Sequence, residues 1–257
     1  MKMRKVLVTG ASGKVGRSLV PALMKAGYEV RAMQFRTPVE QRGVQVAKGS
    51  VSDRKAVGKA LDGMDAVCHL ATCKESPDHF IDVSLRGTFN LLDEAREQGT
   101  KQFLLASGDA VLGIYFYPHR APLDENAPLA PYPGYYPFSK AIEETMARQY
   151  RIQYGLATTI LRFSWVQDED DILAHMTLRP PDFGIPRWRD IARTAGQKAF
   201  FKEDRDGAAV AVHPDGKPFV RHVVGVRDVV QAFLLAMGNP AALGETFNIA
   251  APAPFSY

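Results

Sequence analysis

The sequence predicts an α/β fold: a doubly wound parallel sheet with a small C-terminal substrate lobe. Three observations carry this. Short, β-branched apolar runs alternate with helical periods along most of the 257 residues. The first such run ends in three glycines, Gly10, Gly13 and Gly16, where strand gives way to helix. From about Gln167 to Pro218 the alternation stops, and the chain turns rich in Pro, Arg and Asp without a clear period.

In chain order, the candidate strands are "KVLVTG", "EVRAMQF", "VQVAKGSV", "DAVCHLA", "KQFLLAS", "ATTILRF" and "ETFNIAA". Helices are expected to start near Lys14, Asp53, Phe80, Ser139 and Arg227. Nearly continuous apolar strands alternating with helices argue for a parallel sheet covered on both faces. The domain reading is residues 1–166 for the sheet domain, 167–220 for an inserted lobe and 221–257 for a return to the sheet domain. Pro21 lies inside the first helix and is expected to bend it.

The stretch "TGASGKVG" follows the apolar run Val6-Leu7-Val8 and precedes Val15, Leu19 and Leu23 at four-residue spacing. In a strand–turn–helix, one glycine permits the turn, one lets backbone N–H groups approach a diphosphate, and one lets helix and strand pack closely. The helix N-terminus adds the positive end of its dipole. A glycine-rich turn without a ligand is the plainer reading, and the flanking strand and helix favour the cofactor.

Composition limits the alternatives. No apolar run approaches the length of a membrane span, and the N-terminus reads as a strand instead of a signal peptide, so a cytoplasmic protein with no membrane partner is expected. Cys68 and Cys73 are too few for a disulfide framework and belong to no metal-binding pattern, so no metal is expected. Cys68 reads as a buried small hydrophobe. The net charge is +4, with basic residues bunched between Arg179 and Lys202. No nucleic-acid-binding motif accompanies them. A small anionic substrate and a solvated basic face both account for the cluster.

"PGYYPFSK" sets Tyr136 and Lys140 four residues apart, one turn apart on one helix face. An ammonium beside a phenol favours the phenolate, which would let Tyr136 exchange a proton near neutral pH.

With "TGASGKVG", "DAVCHLAT", "FIDVSLRGTFNLLDEAREQGTKQFLLAS", "YYPFSK", "VRHVVGVRDVVQAFLLAM" and "GETFNIAAP", the chain resembles the extended short-chain dehydrogenase/reductases of the NAD-dependent epimerase/dehydratase family over essentially its whole length. The resemblance implies a Rossmann-type domain, with Tyr136 as catalytic acid/base and Lys140 bonding the nicotinamide ribose. It implies cofactor contacts from Gly10, Ser12, Gly13, Lys14, Val15 and Gly16, from Ser50 and Val51, and from Leu70, Ala71 and Thr72. It also suggests a homodimer through the helices beginning near Phe80 and Ser139. The family usually carries a Ser or Thr hydroxyl where this chain has Gly108. Ser107 is one residue off, on the opposite face of a regular strand. Either Gly108 bends the strand so that Ser107 reaches the substrate, or Asp109 takes part of the role. Asp109 is followed by Ala110, so the second acid of dehydratase relatives is missing.

After the second strand, NAD-preferring members place an acid that binds the adenosine ribose. This chain has Gln34 there and Arg36 just beyond. Arginine pairs well with a 2′-phosphate, so the cofactor is read as NAD(P), with NADP favoured over NAD. Trp165 stands where nucleotide-sugar members have Asn, and is a substrate contact or core packing. Arg221 matches the arginine that grips a substrate diphosphate in those relatives. The chain ends at "APAPFSY", where relatives continue, so a short member or a shortened chain is expected. Three functions follow: an epimerase or other hydride-transferring oxidoreductase at a secondary alcohol or carbonyl carbon of a sugar or nucleotide-sugar, an NADP-dependent reductase or dehydrogenase of a small carbonyl or alcohol, and a non-catalytic dinucleotide sensor.

Overall fold

The computed structural model describes residues 3–114, 119, 122–178, 188–202, 207–210, 212–213, 215–218 and 220–256. The chain forms two compact units, one of Met1–Trp165 with Val226–Ala250 and one of Val166–Gly225 with Ala251–Tyr257.

The first unit is built on seven strands: β1 (Lys5–Thr9), β2 (Glu29–Gln34), β3 (Gln45–Lys48), β4 (Ala66–His69), β5 (Gln102–Gly108), β6 (Thr158–Phe163) and β7 (Thr246–Ile249). All seven lie in one sheet of order β3-β2-β1-β4-β5-β6-β7, and every neighbouring pair is parallel. They coincide with the seven apolar runs of the sequence. Every residue of β4, β5 and β6 is buried, as expected for strands with helices on both faces. This is a Rossmann-type sheet.

The helices follow local chemistry. Helix α1 (Lys14–Lys25) turns Leu19, Val20 and Leu23 inward and runs on through Pro21. Helix α2 (Arg54–Leu61) is capped by the Asp53 carboxylate, which accepts the N–H groups of Lys55 and Ala56 at 2.9 and 3.2 Å. The helix expected at Phe80 opens earlier, at Pro77, and passes through a π-helical stretch, Phe80–Arg86, before becoming α3 (Gly87–Glu97). At its start Gly87 lies so near Val51 that a β-carbon would come within 2.5 Å of the valine side chain.

Helix α4 (Tyr135–Tyr154) begins one turn before the expected Ser139. Gly134, at φ +151°, turns the chain into it, and Pro137 falls in the first turn, where its missing N–H leaves no bond unmade. Helix α5 (Val226–Ala236) packs on α1. Leu7, Val67, Leu91, Leu92, Phe103 and Leu105 centre the core.

The second unit has short elements: helices Asp171–Met176, Trp188–Ile191 and Ala195–Lys202, and strand Val220–Arg221 paired antiparallel with Phe255–Ser256. The strand Trp165–Gln167, which opens the unit, joins Val223–Gly225. Arg221 therefore belongs to this unit, its strand Val220–Arg221 pairing with the C-terminal segment, and the first unit resumes at Val226. Of the basic stretch, 179–187 lies outside the described residues, while Lys198 and Lys202 are exposed. Among the described residues no helix is long and apolar enough to cross a membrane.

Candidate active site

The strand order reverses between β1 and β4, which opens a crevice at their C-terminal ends. The glycine loop follows β1 there, and Leu70, Ala71 and Thr72 follow β4. Gly10 is left-handed at φ +64°, and a β-carbon on it would sit 2.7 Å from the backbone of Leu70 and Ala71. At Gly16 a β-carbon would overlap the Gly10 carbonyl and lie 2.6 Å from Ala11 Cα, so only glycine lets α1 pack onto the loop. Gly13 is the N-cap of α1 and carries no side-chain cap. Ser12, Lys14 and Val15 are half-buried around it. The N–H groups of the first turn have no intrahelical acceptors. Such a cradle of bare backbone at a helix N-terminus fits a dinucleotide diphosphate.

Thr9 ties the two sides of the crevice. Its Oγ1 accepts the N–H groups of Leu70 and Ala71, both at 3.2 Å, and lies 2.7 Å from His69 Nδ1. The other ring nitrogen of His69 bonds Thr88 Oγ1 at 2.9 Å. Burial, and then the Lys140 charge, push His69 down to about 3, so the ring is neutral. Burial alone pushes the Cys68 thiol up, in keeping with a small core residue.

On the far side of β1, Gln34 Oε1 accepts the N–H of Val39 at 2.9 Å and closes the loop that carries Arg36. Arg36 is exposed, with its guanidinium carbon 5.0 Å from the Phe35 ring centre. Ser50 bonds Ser52 through its hydroxyl at 2.8 Å, and the Val51 carbonyl accepts from Asn90 Nδ2 at 3.0 Å. Trp165 is half-buried, and Arg221 lies in the second unit.

Tyr136 and Lys140 share one face of α4, with the ammonium 6.0 Å from the Tyr136 ring centre. The phenol oxygen stands over the end of β5, 3.0 Å from where a β-carbon on Gly108 would be. The missing side chain at 108 is thus the space that the hydroxyl occupies. Lys140 is 2% exposed and donates to the Ala106 carbonyl and to Glu143 Oε2, each at 2.8 Å.

Burial first, then the charges of Asp109, Glu143 and Tyr132, raise Tyr136 above the ordinary phenol range. Lys140, 6.0 Å from the Tyr136 ring centre, is itself paired with Glu143 at contact distance. These surroundings favour the neutral phenol over its anion, so where Tyr136 must take a proton, activity climbs with pH towards its pKa. Asp109→Asn removes a negative charge that opposes the phenolate, so this climb is expected about one pH unit lower. Unmoved pH–rate profiles would show that Asp109 does not face the phenol.

Ser107 does not reach Tyr136. The strand is regular through Gly108 (φ −148°, ψ 155°), so Ser107 faces the other way. It is buried, and its hydroxyl donates to Glu144 Oε1 at 2.7 Å. Glu144 also holds Arg162 in a fork, Nε to Oε1 and Nη2 to Oε2, both at 2.9 Å. Asp109 is half-buried in the turn after β5, on the Tyr136 side.

Four groups of the site went unread in the sequence: Glu143, Glu144, Arg162 and Glu75. The first two had a signal in "KAIEE", where the acids three and four residues after Lys140 return to its helix face. Glu75 had none. Its carboxylate accepts the N–H groups of Tyr135 and Tyr136 at 2.9 and 3.1 Å from a loop sixty residues away.

Known proteins resemble this chain in sequence and fold. The profile of the NAD dependent epimerase/dehydratase family matches residues 6–250. A uronate dehydrogenase of Pseudomonas syringae pv. tomato is 29% identical over 162 residues, covering 62% of this chain and 58% of that protein. One from Agrobacterium fabrum is 27% identical over 213 residues, covering 76% of this chain and 79% of that protein. A short-chain dehydrogenase/reductase superfamily protein of Agrobacterium tumefaciens, solved with bound NAD, superposes at a TM-score of 0.83 with 30% identity over 98% of this chain and 79% of the other. The UDP-glucose 4-epimerase of Thermotoga maritima superposes at 0.75 with 24% identity, over 98% and 78% of the two chains, a likeness of fold. With the glycine cradle, the Tyr136–Lys140 pair and a family match from residue 6 to residue 250, the chain belongs to the NAD-dependent epimerase/dehydratase family.

Proposed function

We propose that the chain is an NAD(P)-dependent dehydrogenase acting at a secondary alcohol or hemiacetal carbon of a free sugar or sugar acid. The observation that carries this is the placing of the Tyr136 hydroxyl over Gly108 at the end of β5, with Lys140 on the same helix face. The relatives named uronate dehydrogenase support the substrate class, as does an L-arabinose 1-dehydrogenase (NAD(P)(+)) of Haloferax volcanii, 29% identical over 68% of this chain. When bound, the nicotinamide accepts or returns a hydride at the substrate carbon. The chain's own part is to seat the diphosphate on Gly10, Gly13 and the start of α1, to present a Lys140 donor to the ribose, and to move a proton at Tyr136 Oη. Proton transfer of this kind contributes about 10²–10⁴ in rate.

Purified protein mixed with NAD or NADP and with hexuronates, aldoses or UDP-sugars tests the proposal through the reduced-nicotinamide absorbance. Net reduction of the cofactor by a free sugar or sugar acid supports it. Cofactor released only on denaturation, together with interconversion of UDP-sugars, would favour the epimerase reading. That reading draws on Arg221, which stands at the position of the diphosphate-gripping arginine in nucleotide-sugar relatives. Cofactor binding without turnover of any substrate would leave a sensor.

Arg36 bears on cofactor choice. If its guanidinium meets a 2′-phosphate, Arg36→Ala weakens NADP by about 10- to 100-fold, the equivalent of one charge-assisted hydrogen bond of about 1.5–3 kcal/mol, and leaves NAD within about twofold. Equal effects on the two cofactors in fluorescence titrations would make Arg36 an ordinary loop residue.

A further inference from the structure

We propose that Glu75 is a positioning residue for Tyr136: its carboxylate closes the open end of α4 and so holds the first turn, with the phenol that it carries, over Gly108. The inference rests on the reading of Tyr136 as the group that moves the proton, and adds to it a residue from the loop beside the cofactor crevice.

Tyr136 sits where a helix is least secure. It is the second residue of α4, and the first N–H groups of a helix have no acceptor within it. The groups of this turn can be counted. Tyr135 donates its N–H to Glu75 Oε2 at 2.9 Å, and Tyr136 donates to Oε1 at 3.1 Å. Pro137 has no N–H, and the Phe138 N–H donates to the Gly134 carbonyl at 3.4 Å, which starts the helical ladder. One carboxylate therefore takes both N–H groups that the turn leaves over. Its charge also suits the positive end of the helix dipole. Gly134 has no side chain with which to cap the helix, and it makes room for the acid that does: a β-carbon there would lie 2.9 and 3.2 Å from the Glu75 oxygens. On the other side of the same residue, the Tyr136 carbonyl accepts from Ser139 Oγ at 2.9 Å.

Glu75 reaches α4 from a loop that is itself fixed. The N–H groups of Leu70 and Ala71 are held by Thr9 Oγ1, and that of Cys73 by the buried Ser84 Oγ at 3.1 Å. The loop thus runs as a strap from beside the glycine turn to the start of α4, and Tyr136 takes its place from the same backbone that borders the crevice. Lys140, one turn further on, has bonds of its own to the Ala106 carbonyl and Glu143. Glu75 is exposed, so its removal opens no cavity in the core. Without the carboxylate the first turn frays and Tyr136 moves, while Lys140 and the glycine turn stay in place.

Amide hydrogen exchange in the full chain, read residue by residue along α4, tests the placement without substrate. Glu75→Ala should speed exchange at Tyr135 and Tyr136 by about 2- to 30-fold, the range that loss of a helix cap gives, and leave residues 141–150 as in the parent. Glu75→Gln keeps the length of the side chain and one acceptor oxygen, and should fall between the two. With the sugar or sugar acid that the absorbance assay accepts, kcat of Glu75→Ala should fall about 10- to 100-fold, the scale of a misplacement of about 1 Å, while the dissociation constant of the dinucleotide stays within about twofold. Added to Tyr136→Phe, Glu75→Ala should change kcat by no more than about twofold, since the phenol through which it acts is already gone. Unchanged exchange at Tyr135 and Tyr136 overturns the proposal. So does faster exchange spread evenly over α4, or a kcat loss in the Tyr136→Phe background as large as in the parent. If Glu75→Ala does not fold, Glu75→Gln decides by the same readings. Failure of the underlying reading shows itself separately, as a Tyr136→Phe protein that turns over at the parent rate.

Discussion

Tyr136→Phe is expected to lower kcat by about 10²–10⁴ while leaving the dissociation constant of the dinucleotide within about twofold. The phenylalanine ring keeps the packing of the first turn of α4 and deletes only the oxygen that stands over Gly108. No side chain at position 108 offers a second hydroxyl, and the Ser107 hydroxyl is engaged with Glu144 on the opposite face of β5. In this chain Tyr136 therefore carries the proton transfer without the neighbouring Ser or Thr that the family usually supplies, and the loss should fall at the upper end of that range. The check is steady-state kinetics with a sugar substrate, alongside a fluorescence titration of the cofactor. Activity near that of the parent would move the proton chemistry to another group, with Asp109 the nearest acid. Equal losses in kcat and in cofactor affinity would mean that the phenol helps to build the dinucleotide site instead.

The parts legible in the sequence were those written in local patterns. Seven apolar runs became the seven strands of one sheet, and β4, β5 and β6 were the plainest because a strand buried on both faces needs no partner in the sequence to declare itself. The turn at Gly10–Gly16 was legible because left-handed backbone and close approach both demand glycine. The start of α4 was misplaced at Ser139 because its cap comes from Glu75, distant in sequence, and leaves no local capping signature at Gly134. The ion pair at Lys140 went unread for a related reason. Spacing reports that two side chains share a helix face, but not that a third residue on that face, Glu143, takes up the lysine. Ser107 shows the opposite case: the alternation of a strand placed it on the far face, and the regular backbone at Gly108 leaves it there. Its bond to Glu144 depends on three elements meeting in space, which no local pattern encodes.

That meeting point should be the most sensitive part of the first unit to mutation. Arg162 on β6 is 1% exposed, and the fork it makes with Glu144 of α4 also receives the Ser107 hydroxyl of β5 and Arg148 Nη2 at 3.0 Å. Arg162 Nη1 further donates to the Glu125 carbonyl at 3.2 Å. Glu144→Ala leaves a buried guanidinium without its counter-charge and a buried serine hydroxyl without its acceptor. Breaking a buried pair by removing one partner destabilises by about 3–5 kcal/mol. A folded domain is commonly stable by only about 5–15 kcal/mol, so such a loss takes a large share of it. The expected result is a clearly lower denaturant midpoint for Glu144→Ala, and a midpoint partly recovered when Arg162→Met is added, since the second change removes the stranded charge. A single variant as stable as the parent would mean that water reaches Arg162 and replaces the carboxylate. Equal losses from the single and double variants would assign the effect to the cavity and not to the charge. Because the network joins β5, β6 and α4, its loss should also disturb the placing of Tyr136 over Gly108, so that kcat falls in the single variant even under conditions where it remains folded.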